Sequence, residues 1–229
     1  MSTVPLADRT IFLPSQFNLA WKLVLVQKTL TPQSLLNSYS QERVPVINKT
    51  IELFRKEFVR KADQKKEFVR EYELHQLGIN HRGTPVVSDE KYTDKDEAND
   101  PYRSGNDGTV RAGDRAPDAP YLAQLGHSAL VFPSCIGRDF VDEVSGILRG
   151  YPSNLLKSIL ILPRTSSDSS FTLSDTTLVD IEGHVHSGYD VAHDPPAVSI
   201  VRPDGYVGAS VTSGRLGMRI YFLIIFSVL

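Results

Sequence analysis

Apolar residues recur at helical spacing through residues 17–46. Phe17, Ala20, Trp21, Val24, Leu25 and Lys28 follow the i, i+3, i+4, i+7 rule, which predicts a helix presenting one stripe to a partner. Thr31 is placed to cap a second helix, because its hydroxyl can accept a free backbone N–H, and Pro32 suits the first helical position. Leu35, Leu36 and Tyr39 restart the stripe, and Pro45 is expected to end or kink that helix. Residues 46–75 read as a long helix of mixed charge, with Ile47, Ile51, Phe54, Phe58 and Ala62 as its apolar row. The pentapeptide beginning at Lys56 recurs at Lys66. A ten-residue shift turns a helix by about 280°, so the copies face different sides and suggest a small duplication, not a repeat architecture. Residues 76–87 predict a strand. Residues 88–109 are polar and aperiodic, as a linker is.

A second unit follows over residues 110–229, in the order β-α-β-β-β-β-α. Its strands are expected at 128–132, 156–162, 178–181, 197–202 and 206–211, with Pro203-Asp204-Gly205 turning the last two into a hairpin. Helices are expected at 140–148 and 215–229. Residues 1–15 show no sustained period and read as a leader.

Composition narrows the class. The length of 229 residues supports a sizeable core in one or two domains. A net charge of −2 gives no bulk attraction to nucleic acid or to an anionic membrane, and interleaved acids cancel the basic residues of 46–75. The single cysteine, Cys135, excludes an internal disulfide and fits a reducing, cytoplasmic setting. No secretory signal opens the chain, and the apolar run at 220–229 is too short to span a bilayer.

The order of residues says more than their period. The strings N-L-A-W-K-L, S-L-L-x-x-Y and E-R-x-P-V in the first unit, then A-G-D-R-A-P-D-A-P, then G-Y-D-V with P-A-V-S-I-V-R-P-D-G-Y-V-G-A, closely resemble the C-terminal part of FAD-dependent aromatic-ring hydroxylases of the phenol 2-monooxygenase type. The resemblance implies an α/β fold: helices remaining from a flavoprotein domain at 16–87, a linker at 88–109, and a thioredoxin-like domain at 110–229. An intact relative binds FAD, reduces it with NAD(P)H and inserts one oxygen atom of O2 into a phenolic ring. Its terminal domain is associated with dimer contacts, so self-association is expected here. Because the likeness begins near residue 17, the flavin-binding region is expected to be missing, along with the aromatic substrate pocket built on it. Three readings follow. One is an inactive fragment of an oxidoreductase; another is a stand-alone interaction or dimerisation module. A small peroxiredoxin-like enzyme is a third.

The candidate chemistry is sparse. A flavin pyrophosphate needs a glycine-rich turn at a helix N-terminus. Gly105, Gly108 and Gly113 have neither its spacing nor its flanks, and Gly113-Asp114 leads into prolines. FAD is therefore a cofactor of the family, and none is expected for this chain alone. Thiol exchange needs a second cysteine, but the resolving position after Cys135 is Arg138. His184 and His186 share a face if they lie on a strand, and His193 and Asp194 follow, yet no fixed third zinc ligand is apparent. Surface histidines are the expectation. Asp175, Asp180 and Glu182 read as turn and edge residues. No catalytic, cofactor-binding or metal residue is assigned. Trp21, Val24 and Leu25 are expected to be left exposed for want of the elements they pack on, leaving 1–87 insoluble or molten alone while 109–229 folds by itself. The thioredoxin-like register predicts a cis peptide bond at Pro196.

Overall fold

The computed structural model describes residues 7–64, 78–92, 100–102, 110–117, 126–133, 138–164, 176–191, 195–212 and 215–226. Cys135 and His193 lie outside these. The elements in order are α1 (Ala7–Gln27), α2 (Asn37–Gln64), β1 (Ser88–Asp89), β2 (His127–Phe132), α3 (Arg138–Leu148), β3 (Leu156–Pro163), β4 (Thr176–Asp180), α4 (His184–Gly188), β5 (Ala197–Val201), β6 (Val207–Val211) and α5 (Arg215–Ile225).

The strands form one sheet in the order β1-β6-β5-β2-β3-β4. β2 lies beside β3 in parallel and beside β5 in antiparallel register. A parallel pair needs a crossover, which α3 provides. The β5–β6 hairpin is antiparallel, with Gly205 at φ +81° supplying the turn that a side chain would resist. All six residues of β2 are buried, because both faces of the sheet are covered. Alternation then sorts the side chains. Ala129, Val131, Leu160 and Leu162 face a core closed by α3 and α5, while Leu130, Phe132, Ile159 and Ile161 face Tyr189 and Ala112.

The first core also contains Trp21, Leu25 and Leu35. This corrects the expectation of an unpartnered stripe: Trp21 and Leu25 are buried in the core of the sheet, and only Val24 stays exposed with Phe17 and Leu23. The reason is that α1 lies against the sheet end where His127 and Phe226 sit. The Trp21 ring meets His127 edge-on at 5.3 Å.

Other local readings change as well. α1 begins at Ala7, inside the stretch read as a leader, and runs through Pro14. Thr31 is no cap: it is buried, its hydroxyl makes no hydrogen bond among the described residues, and a short 3-10 turn at Gln33–Leu36 starts after Pro32. Pro45 does not end the second helix, since α2 continues to Gln64. Proline in a helix interior costs about 3 kcal/mol, and here the fully buried Glu42 and Val46 on either side hold the backbone helical. Of the expected row, Ile47, Ile51 and Phe58 are exposed and Phe54 is half-buried, and the buried face of α2 is Ser38, Glu42, Arg43, Val46 and Thr50. A strand occurs at Ser88–Asp89, within the stretch read as linker, where it extends the sheet beside β6. Residues 65–77, where the helical reading continued and the predicted strand began, lie outside the described residues.

The segments around 80 and 114 are strapped to the hairpin. Gly113 donates its N–H to the Val207 carbonyl at 2.7 Å, and the His81 N–H bonds the Gly113 carbonyl at 2.7 Å. Gly113 has φ +95°, and a Cβ there would sit 2.6 Å from the Arg82 nitrogen, so the close approach requires glycine. No helix among the described residues is long and apolar enough to cross a membrane.

Candidate functional site

The most concentrated polar chemistry lies inside the molecule, where α1, α2 and the β5–β6 turn converge. Asn18 and Lys22 are four residues apart on α1, so they project from one face beside Trp21. Glu42 projects from α2. Arg202 ends β5 and Asp204 occupies its turn. Glu42, Lys22, Arg202 and Asp204 have side chains at most 1% exposed.

The Arg202 guanidinium grips both carboxylates. It donates from Nη1 to Glu42 Oε1 at 2.6 Å and from Nη2 to Oε2 at 3.1 Å. It also donates from Nε to Asp204 Oδ1 at 3.0 Å and from Nη2 to Oδ2 at 2.5 Å. Lys22 Nζ donates to Glu42 Oε2 at 2.6 Å and to Asn18 Oδ1 at 3.1 Å. The Asn18 amide donates to Glu42 Oε2 at 2.6 Å and to Asp204 Oδ2 at 2.9 Å. The Trp21 indole N–H donates to Asp204 Oδ2 at 3.1 Å. The Trp21 ring also lies 5.2 Å from the Arg202 guanidinium and 5.5 Å from the Lys22 ammonium, so it takes part in cation–π contacts with both.

The electrostatics match this geometry. Burial works against the charge on Glu42 and Asp204, but Arg202 outweighs it and holds both carboxyls below their usual range. Burial lowers Lys22 to about 8, with Glu42 opposing. It lowers His127 to about 3, so that ring is neutral. Each of the four carboxylate oxygens already accepts from a donor. With these side chains at most 1% exposed, a substrate has no access to the carboxylates for proton exchange. Its chemistry is that of a lock between helices and sheet.

The sequence reading missed this lock. Asp204 was legible only as a turn residue, and E-R-x-P-V only as part of a likeness. The available signal was the pair Asn18 and Lys22 on the buried side of an amphipathic helix, where unpaired polar groups are costly.

The other candidates separate. His184 and His186 lie on a helix and not on a strand, which turns them to different sides. His184 is exposed beside Glu182 at 3.2 Å. His186 is buried and shares a 2.8 Å hydrogen bond with Asp180, so it is no surface histidine and Asp180 is no plain edge residue. Asp180 also accepts the His186 N–H at 2.9 Å and so holds the start of α4. No group of three metal-ligating side chains occurs among the described residues. Gly113-Asp114 is occupied too: Arg82 pairs with Asp114 at 2.6 and 2.8 Å. A cleft of about 420 Å³ between α3 and α5 is lined by Asp142, Glu143, Ile147, Tyr151 and Arg219 with two glycines.

The described residues do not fit a flavin pyrophosphate. Among the described residues the glycines with positive φ are Gly83, Gly113, Gly183 and Gly205. Gly113 is filled by the Arg82 backbone, Gly205 belongs to the hairpin turn, and Gly183 precedes a helix of only five residues. None forms part of a glycine-rich turn opening a long helix.

No protein-family model matches the chain. It is 28% identical over 203 residues to a flavin-dependent monooxygenase of Mycobacteroides abscessus, covering 87% of this chain and 32% of that protein. It is 28% identical over 204 residues to a 4-methyl-5-nitrocatechol 5-monooxygenase of a Burkholderia species, covering 83% of this chain and 34% of the relative. The chain thus spans about a third of the length of these curated relatives. Among solved structures it shares its fold with aklavinone-11 hydroxylase in complex with FAD and aklavinone, at TM-score 0.62, 20% identity, 93% of this chain and 39% of that one. The flavin-dependent monooxygenase PieE, in complex with FAD and substrate, gives 0.62 at 17% identity over 93% of this chain and 43% of its own. RebC soaked with K252c gives 0.59 at 19% identity over 96% and 41%.

Proposed function

We propose that this chain is the C-terminal portion of an FAD- and NAD(P)H-dependent aromatic hydroxylase of the phenol 2-monooxygenase type, and that it does not hydroxylate by itself. The observation that carries the reading is a collinear likeness to flavin-dependent monooxygenases, which covers most of this chain but about a third of its curated relatives. In this reading residues 16–87 belong to the flavoprotein domain, and residues 110–229 form a thioredoxin-like domain. The strand order β3-β2-β5-β6 supports the second assignment, with a crossover helix between the parallel pair and a last helix closing the same face.

The chain's residues then act as a joint. Asn18 and Trp21 seat α1 on the hairpin of the following domain, Lys22 ties α1 to Glu42 of α2, and Glu42 ties α2 to Arg202 of the hairpin strand. Bound FAD, when present in an intact relative, supplies the oxygen-activating chemistry. Here the described residues offer it no phosphate cradle. The exposed apolar residues Phe17, Leu23 and Val24 of α1, with Val44, Ile47 and Ile51 of α2, support self-association or covering by another stretch of polypeptide.

The test is direct. The purified chain mixed with FAD is expected to stay colourless after desalting and to consume no NAD(P)H with phenols. A stoichiometric yellow complex would overturn the claim of inactivity.

A further inference from the structure

Immediately beside the lock, α2 carries a third buried cation. Arg43 is 1% exposed, and Nε, Nη1 and Nη2 all lack a hydrogen-bond partner among the described residues. It shares a face of α2 with Val46 and Thr50. Val46 packs on Ile79 and Tyr206, and Thr50 shares a 2.6 Å hydrogen bond with Tyr102. His81 closes the same place. It is 2% exposed, neither ring nitrogen has a hydrogen-bond partner, and its ring lies 4.3 Å from that of Tyr206. Burial lowers His81 to about 4, so the ring is neutral, and Tyr206 links the two places by packing on Val46 of α2 and on the His81 ring.

Charge balance gives the sign of what is missing. Lys22 and Arg202 are matched by Glu42 and Asp204, and Arg82 is matched by Asp114. Among the described residues of this region, Arg43 remains as one positive charge over. A buried arginine with five idle N–H groups is unfavourable unless an anion meets it, and its planar fork fits a carboxylate with two parallel bonds. A neutral imidazole alongside can donate one further N–H.

We propose that Arg43 and His81 form a buried receptor for a single carboxylate group, carried by a small free acid or by an aspartate or glutamate side chain from further polypeptide. The inference is independent of the flavoprotein reading. A carboxylate seated there would favour the protonated imidazole, so occupancy couples to His81. The charges acting on that ring are Glu42 and Arg43 of α2 with Arg202 and Asp204 of the hairpin, and Tyr206 packs against it.

The experiment uses the full chain, with sodium formate as the free acid and N-acetyl-aspartate N-methylamide as the side-chain mimic, each against sodium chloride at equal ionic strength. The probe that matches the source is expected to raise Tm by about 5 °C at a hundredfold excess over its Kd. The same probe is expected to raise the His81 pKa followed by NMR. A response to formate alone assigns a free acid, and a response to the blocked aspartate alone assigns a side chain. Arg43→Met is expected to abolish either response. The His81 titration in the unaltered chain decides the matter if that variant does not fold. Silence of Tm and of His81 with both probes overturns the proposal, as does a response that survives in Arg43→Met.

Discussion

Glu42 and Arg43 are adjacent in sequence and almost equally buried, at 2% and 1% exposure, yet their surroundings are opposite. Successive helical residues point about 100° apart, so Glu42 meets the side chains of α1 and the hairpin while Arg43 lies on the face of α2 that carries Val46 and Thr50. Glu42 receives hydrogen bonds from three side chains, and Arg43 makes none. Burial of charge is tolerable where partners replace water, and the comparison separates a finished joint from an unfinished one. It also accounts for how Pro45 is accommodated. Glu42 and its partners anchor the helix one turn before it, so the missing backbone bond is borne by tertiary contacts.

The largest expected effect comes from breaking the finished side. Glu42→Gln leaves Lys22 and Arg202 buried with one carboxylate between them. It should cost about 3–5 kcal/mol in urea unfolding, the range for a buried pair that loses one partner. A loss below about 1 kcal/mol would place the joint among dispensable contacts. Asp204→Asn keeps an acceptor for the Trp21 indole but loses the charge that faces Arg202. A smaller loss of about 2–3 kcal/mol is expected, with a change in tryptophan emission as the local readout.

The pH profile sharpens the contrast next. His81 and His127 are lowered to about 4 and about 3 by burial, so below the ordinary value of 6.5 the unfolded chain takes up protons first and stability falls. Glu42 and Asp204 are held low by Arg202 despite burial. Their contribution is present above the ordinary carboxylate values of 4.5 and 3.8 and is lost as pH falls through the lower folded ones. Lys22, lowered to about 8, acts at the other end. The unfolded chain keeps its proton up to about 10.5, so this residue's contribution to stability rises between those values. Chemical denaturation from pH 4 to 10 reads the acid loss, which a flat profile below 6.5 would contradict.

The smallest effect belongs to the unfinished side. Arg43→Met, measured without added carboxylates, should change stability by less than about 1 kcal/mol or increase it, because no bond is lost and an unpaired charge is removed. A loss like that of Glu42→Gln would show that Arg43 has partners of its own.

Much of the architecture was legible because it depends on near neighbours. The helical stripe around Trp21, the strands at β2, β3, β5 and β6, the Pro-Asp-Gly turn and α5 all follow from period and turn chemistry. The family likeness was carried by strings of residues and not by any catalytic motif. What local pattern could not supply is the pairing of polar groups far apart in sequence. Arg202 meets Glu42 across 160 residues and Trp21 meets Asp204 across 183, so a turn aspartate becomes the centre of a buried lock only once the sheet carries it to α1. The same limit misplaced the buried row of α2, where Glu42, Arg43 and Thr50 face inward and Ile47, Ile51 and Phe58 face out. The chain by itself determined which segments become helices and strands, since propensity and periodicity act over a few residues. The tertiary structure decided which charges are buried and which apolar residues are left outside, because burial of an ion is settled by the partners that replace its water.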